Sequence, residues 1–274
     1  LDYHPTLSGN GQSMAFVSMR SGNADIWVQP IGTSGLTLPR QVTSHPANDM
    51  DPSLNRDGTR LLYVSHKSDP RGDVYLLDLI TREERQLTDL ESEDAIPQWD
   101  ADNRGFYYLG TVPLTGISNL YWKSLKHGTP QQILANVKSF SLDGQGHILY
   151  SDGRRIQEFN PQTQETRARV DVESGLILWP TRPQGSPDSS IPGTLFFARY
   201  DQDTNSDGVI DTDDESSLWM TQTSSDKSQL PLVYQLTSMG RFDTYPVAAG
   251  NFIYFSELQS GDLFRLDIPA FLTD

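Results

Sequence analysis

The sequence has no cysteine among its 274 residues, which excludes disulfides, thiolate metal sites and cysteine nucleophiles. Long apolar runs are missing too. The longest, such as Leu176-Ile177-Leu178-Trp179 and Asn251-Phe252-Ile253-Tyr254-Phe255, are strand-sized, far short of the ~20 residues a membrane-spanning helix needs. Positive charge is scarce: 21 Lys and Arg stand against 36 Asp and Glu, a formal charge of −15. Such a balance repels phosphate backbones and anionic lipid, so nucleic acid and membrane insertion are disfavoured. Simple solvation accounts for such a balance, as do bound cations or a protein partner with a basic segment. No stretch has helical periodicity. The Gly-x-Ser-x-Gly elbow of serine hydrolases is absent. The histidines, His4, His45, His66, His127 and His147, show no metal-ligand spacing and read as turn or surface residues. The chain opens at Leu1 with neither Met nor an apolar leader, as a processed product or an excised domain would.

What is present is a repeat. Asp-x-x-Pro occurs at Asp2/Pro5, Asp49/Pro52, Asp94/Pro97 and Asp243/Pro246, each leading into a strand-like stretch. The first three prolines are 47 and 45 residues apart, and Pro180 lies close to two periods further on. Within each unit a turn such as Asn10-Gly11 or Asp57-Gly58 precedes an apolar strand, for example Leu61-Leu62-Tyr63-Val64. A second strand follows, as in Asp73-Val74-Tyr75-Leu76, and then a polar edge strand, as in Arg85-Gln86-Leu87-Thr88. Four short antiparallel strands per repeat predict a six-bladed all-β propeller, because such a unit must stack on its neighbours to cover its apolar side chains. The expected blades are 1–48, 49–93, 94–137, 138–175, 176–242 and 243–274, forming a single domain over 1–274. The fourth lacks the proline. Phe271-Leu272-Thr273 is expected to complete the sixth blade from the C-terminal side; if the chain is complete, no strand is shared across the seam, and a truncated chain would look the same.

These units resemble the TolB-type propeller repeats, most clearly at Asn55-Arg56-Asp57-Gly58 and Gly72-Asp73-Val74-Tyr75. The resemblance implies the propeller alone, since nothing corresponds to the α/β domain that precedes it in TolB.

The interval between Pro180 and Pro246 carries an insertion, 201–215, rich in acid. With Gly208 as the sharp-turn glycine at position 6 of a 12-residue calcium loop, Asp203, Asn205 and Asp207 occupy positions 1, 3 and 5. Val209 offers its carbonyl at 7, Asp211 stands at 9, and Asp214 at 12, with Glu215 as its alternative. Ile210 is the apolar anchor. Calcium takes six to eight hard oxygens, and every ligand position here supplies one, whereas magnesium keeps its waters. The loop resembles those of EF-hands and dockerins, but its flanks read as strands. The alternative is an acidic, solvated hairpin tip, although without a counter-ion the six carboxylates from Asp203 to Glu215 would repel one another.

Strand alternation places this loop on the same face as the Asp-x-x-Pro turns. Asp2, Asp49, Asp94 and Asp243 are expected either to accept hydrogen bonds within their own turns or to present a carboxylate ring to a basic partner segment. The leading expectation is a non-catalytic, calcium-binding interaction or scaffold module of the periplasm or cell surface, where calcium is plentiful. A propeller-type polysaccharide lyase or hydrolase, or the propeller of a larger sensor or protease, remains the alternative.

Overall fold

The structure, a computed structural model, describes residues 1–31, 37–126, 128–183, 194–222, 231–238 and 240–268. Every regular element in them is a β-strand, and the strands form six antiparallel sheets in chain order, the six blades of a propeller. The chain divides into two compact units, Leu1–Val137 and Lys138–Asp274.

In the first unit, blade one is β1 (Asp2–Leu7), β2 (Ser13–Ser18), β3 (Asp25–Pro30) and β4 (Arg40–Gln41). Blade two is β5 (Asp49–Leu54), β6 (Arg60–Ser65), β7 (Asp73–Asp78) and β8 (Glu84–Gln86). Blade three is β9 (Glu93–Trp99), β10 (Gly105–Val112), β11 (Ile117–Ser124) and β12 (Gln131–Leu134). In the second unit, blade four is β13 (Ser139–Leu142), β14 (Ile148–Ser151), β15 (Arg155–Asn160) and β16 (Glu165–Asp171). Blade five is β17 (Leu176–Thr181), β18 (Phe196–Tyr200), β19 (Ser217–Gln222) and β20 (Leu232–Gln235). Blade six shows β21 (Asp243–Ala249), β22 (Phe252–Glu257) and β23 (Asp262–Asp267). The strand expected at Phe271-Leu272-Thr273 lies outside the described residues.

The second strand of each blade is a continuous apolar run because both of its faces are covered. Leu61 and Tyr63 of β6 pack with Val17, Ile26 and Val28 of blade one. Leu62 and Val64, pointing the other way, pack with Trp99, Phe106 and Tyr108 of blade three. The same division recurs in the second unit. Phe197 joins Leu149, Ile156 and Ile177, while Phe196 and Ala198 join Ile253 and Phe255. Successive side chains of a strand point to opposite faces, so a blade in the middle of a stack needs an apolar residue at every position. The last strands have no such cover: β8 and β20 are exposed throughout.

Asp-x-x-Pro is not a turn before the first strand but lies inside it. β5 begins at Asp49 and β21 at Asp243, and Pro52 and Pro246 fall within them. At each of these prolines the ladder slips: between Tyr3 and Thr6, Met50 and Ser53, opposite Tyr107 to Leu109, between Leu178 and Thr181, and between Thr244 and Val247. Proline has no N–H to give the ladder, and a bulge is where a strand tolerates that loss. The residue before each proline takes a positive φ: His4 51°, Asp51 51°, Ile96 52°, Trp179 58° and Tyr245 51°. Blade four supplies the control, since β13 has no proline and pairs with β14 without a slip.

Candidate functional site

The insertion connects β18 to β19 and is described in full. Asp203 caps the loop, one carboxylate oxygen accepting from the Asp207 amide (3.1 Å) and the other from Gly208 (2.8 Å). Gly208 stands at φ +93°, a conformation that glycine adopts without steric cost. Asn205 Oδ1 accepts from the Asp207 amide (3.0 Å), Asp207 Oδ1 from Val209 (2.9 Å) and Asp211 Oδ1 from Asp213 (2.9 Å). Asp214 is fully buried and closes the loop. Its Oδ1 accepts from the amides of Thr204 (2.6 Å) and Asn205 (3.2 Å) and from the Thr204 hydroxyl (3.1 Å), and its Oδ2 from the Asp211 amide (3.0 Å). The Asp211 amide first, and then those of Thr204 and Asn205, hold the Asp214 carboxyl below the usual range. Ile210 packs on the core between blades five and six. Asp203 and Asp211 are half-buried, and Asn205, Asp207 and Val209 are exposed. Among the described residues no three His, Asp or Glu side chains are gathered to hold a metal.

The four repeated aspartates do not form an exposed ring. Asp49, Asp94 and Asp243 are 1%, 2% and 0% exposed, and Asp2 alone of the four stays partly open, paired with Arg20. Burial follows from their position inside the first strand, facing the edge strand of the preceding blade. There the hydroxyls of Thr43, Thr88 and Thr237 lie against them and draw their pKa values back down. The same hydroxyls accept from the amides of Ile26 (2.9 Å), Val74 (2.8 Å) and Leu218 (2.9 Å). The Gln-x-Thr edge strands are therefore clasps between blades. A second acid completes two of them: Asp25 and Asp73, themselves buried, take hydrogen bonds from Gln41 (3.0 Å) and Gln86 (3.0 Å).

Burial first, and then the neighbouring carboxylates, push Asp73 and Asp94 up to about 6. The folded chain therefore holds these protons to about pH 6, whereas the unfolded chain releases them near 3.8. Their contribution to stability is full below the lower value and is lost as pH rises through the higher one. Carboxyls held below their usual values, such as Glu158 and Asp51, act at lower pH and do not mask the effect. Asp94→Asn is expected to stabilise the protein at pH 7.5 by on the order of 1–2 kcal/mol and to reduce the difference between pH 5 and pH 7.5. Urea denaturation of both proteins at both pH values measures this, and equal pH dependence in the variant would refute it.

The positive-φ residues link consecutive blades. His4 Nδ1 lies 2.9 Å from Asp51 Oδ1, and Asp51 Oδ2 accepts from the Ile96 amide at 2.9 Å. In the second unit the Trp179 amide donates to Ser139 Oγ (2.9 Å), and the Trp179 and Tyr245 rings are 4.5 Å apart. Burial would raise the Asp51 carboxyl, but His4 and the Ile96 amide outweigh it and hold it low. His4 is thus not a surface histidine but a half-buried partner of an aspartate. Nothing in the composition marked these residues. The available signal was their place immediately before the repeated proline. Bulges re-aim side chains in this way, and strain of this kind clusters at functional sites.

Among solved structures, the chain is similar to TolB from Acinetobacter baumannii (16% identity, TM-score 0.63), with 91% of this chain covering 58% of that one. It thus spans less than two thirds of that protein's length. A protein described as TolB from Agrobacterium tumefaciens is similar at 15% identity and TM-score 0.65, over 97% of this chain and 88% of that one. An oligogalacturonate lyase in complex with manganese is similar at 16% identity and TM-score 0.55, over 97% and 77%. At these identities the likeness shows the fold. No curated protein matches. The model of the TolB beta propeller domain matches residues 3–229, and the chain belongs to that family.

Proposed function

We propose that this chain is a non-catalytic propeller working outside the cytoplasm as a protein-interaction or scaffold module, with one loop fixed by calcium. The observation that carries the reading is the loop from Asp203 to Asp214, whose carboxylates already cap its own amides around Gly208. The donor set fits a hard cation: carboxylates of Asp203, Asp207, Asp211 and Asp214, the Asn205 amide oxygen and the Val209 carbonyl. Calcium would draw these oxygens together and neutralise the repulsion among them. Both Asp214 oxygens accept from loop amides, and Glu215 is the alternative to Asp214 as the last ligand. Magnesium, which needs octahedral geometry and retains water, suits the loop less well. Loop sites of this kind fill at the calcium levels found outside the cytosol, which supports a periplasmic or cell-surface location. The net charge of −15 supports a basic protein partner.

A melting curve in calcium, in magnesium and in chelator tests the metal. The melting temperature should rise in calcium and much less in magnesium; the same curve in calcium and in chelator would refute the claim. A second reading, a lyase or hydrolase of uronic-acid oligomers, draws on the His4–Asp51 pair and on the fold shared with the oligogalacturonate lyase. Turnover of such oligomers, lost in His4→Gln, would replace the first reading.

A further inference from the structure

Blade three carries a hairpin that the calcium loop does not explain. β10 and β11 have eight residues each and stay paired to their ends, Val112 facing Ile117. The turn is fixed by its own bonds: the Val112 carbonyl accepts from Thr115 (3.1 Å) and Gly116 (2.9 Å), and Thr111 and Ser118 hydroxyls bond at 2.8 Å. Gly116 supplies the positive φ the turn needs, +64°. On this fixed tip Leu114 is 98% exposed, with Ile117 at 46% and Val112 at 38%. No charged residue occurs from Gly105 to Trp122.

A leucine so exposed adds nothing to folding. A polar residue would serve the turn as well, and three exposed apolar residues on one tip form a contiguous patch of the kind that marks an interaction site. The surroundings select the partner by charge. Glu93, on β9, is paired with Thr111 beside the tip, and Asp89, Glu91 and Glu93 are all exposed. Arg71 reaches the Glu91 carbonyl (2.7 Å), but its charge is already matched by Asp69 (2.8 Å). An anionic membrane would be repelled by this collar, and so would a second copy of a chain carrying −15.

Building on the interaction-module reading, we infer that the 112–117 hairpin is a docking point for a basic protein segment. Its apolar residues cover Val112, Leu114 and Ile117 while its Lys and Arg side chains meet Asp89, Glu91 and Glu93. The tip is held by hydrogen bonds of its own, so this contact is independent of calcium.

The test is fluorescence anisotropy on the full chain. It uses a short labelled peptide of Lys, Arg, Leu and Phe and a charge-inverted peptide with Glu and Asp for the basic residues. The basic peptide should bind equally in calcium and in chelator, and the inverted one should not bind. Leu114→Asn, expected to keep the fold because the side chain is 98% exposed, should weaken binding about tenfold or more. Glu91→Gln with Glu93→Gln should weaken it and flatten its salt dependence. Absence of binding, or equal binding to wild type and Leu114→Asn, overturns the hairpin assignment. In the second case the interaction-module reading survives, with its surface elsewhere. Leu114-dependent binding to phosphatidylserine vesicles, or Leu114-dependent dimerisation, also overturns it in favour of those occupants.

Discussion

Arg182→Met is expected to destabilise the protein by about 3–5 kcal/mol, a fall in melting temperature on the order of 10 °C. Arg182 follows β17 in blade five and reaches back to blade four, Nη1 to Asp143 Oδ2 (2.9 Å) and Nη2 to Glu158 Oε2 (2.6 Å). Arg169 binds both Glu158 oxygens at 3.0 Å, and His147 Nδ1 lies 2.9 Å from Asp143 Oδ2. Asp143 and Glu158 are 3% and 12% exposed as side chains. Burial pushes Glu158 up, but Arg169 and Arg182 outweigh it and hold its carboxyl below the usual range. Removing one partner of a buried pair leaves the other charged and undersolvated, which costs far more than the pair contributes in net terms. Arg182→Lys keeps the charge but cannot span two carboxylates with a planar fork, and should fall between Met and wild type. Thermal unfolding of the three proteins in one buffer measures the series. An Arg182→Met protein within a degree of wild type would show that the bridge is solvated and carries no stability.

The second large effect depends on the metal. Asp207→Asn with Asp211→Asn keeps an amide oxygen where each carboxylate accepts from Val209 and Asp213 and removes two of the charges in the loop. In chelator the variant should be as stable as wild type or slightly more so, because the amide oxygens keep each hydrogen bond and two mutually repelling charges are gone. In calcium at a hundredfold above the dissociation constant, wild type should gain about 2.7 kcal/mol while the variant gains little. The signature is the interaction between substitution and calcium, not the substitution alone. A variant destabilised equally in both buffers would mean that these side chains only brace the loop.

Much of the fold was legible because strand alternation and the period near 45 residues are written in apolar positions. Leu61 to Val64 had to be a strand buried on both faces, and it is. The same pattern misled where a charged residue belonged to the core. Asp49, Asp94 and Asp243 read as loop acids because an aspartate is seldom buried. What buries them is a threonine six positions earlier in the chain, on the preceding blade, and a contact between blades has no local signature. The prolines were visible, but not the bulges they occupy nor the positive φ at His4, Asp51 and Ile96. Blade four lacks the proline, and its first two strands pair without a slip. The 201–215 insertion was legible as a connection between two strands of blade five, because its spacing is local. The hairpin tip at Leu114 was not, because exposure of a leucine depends on what fails to pack against it.

The most direct test of the calcium-fixed module is isothermal titration of calcium into the metal-free chain, beside Asp207→Asn with Asp211→Asn. One calcium ion per chain should bind to wild type, with binding lost or severely weakened in the variant. No binding to wild type, or the same affinity in both proteins, would contradict the account.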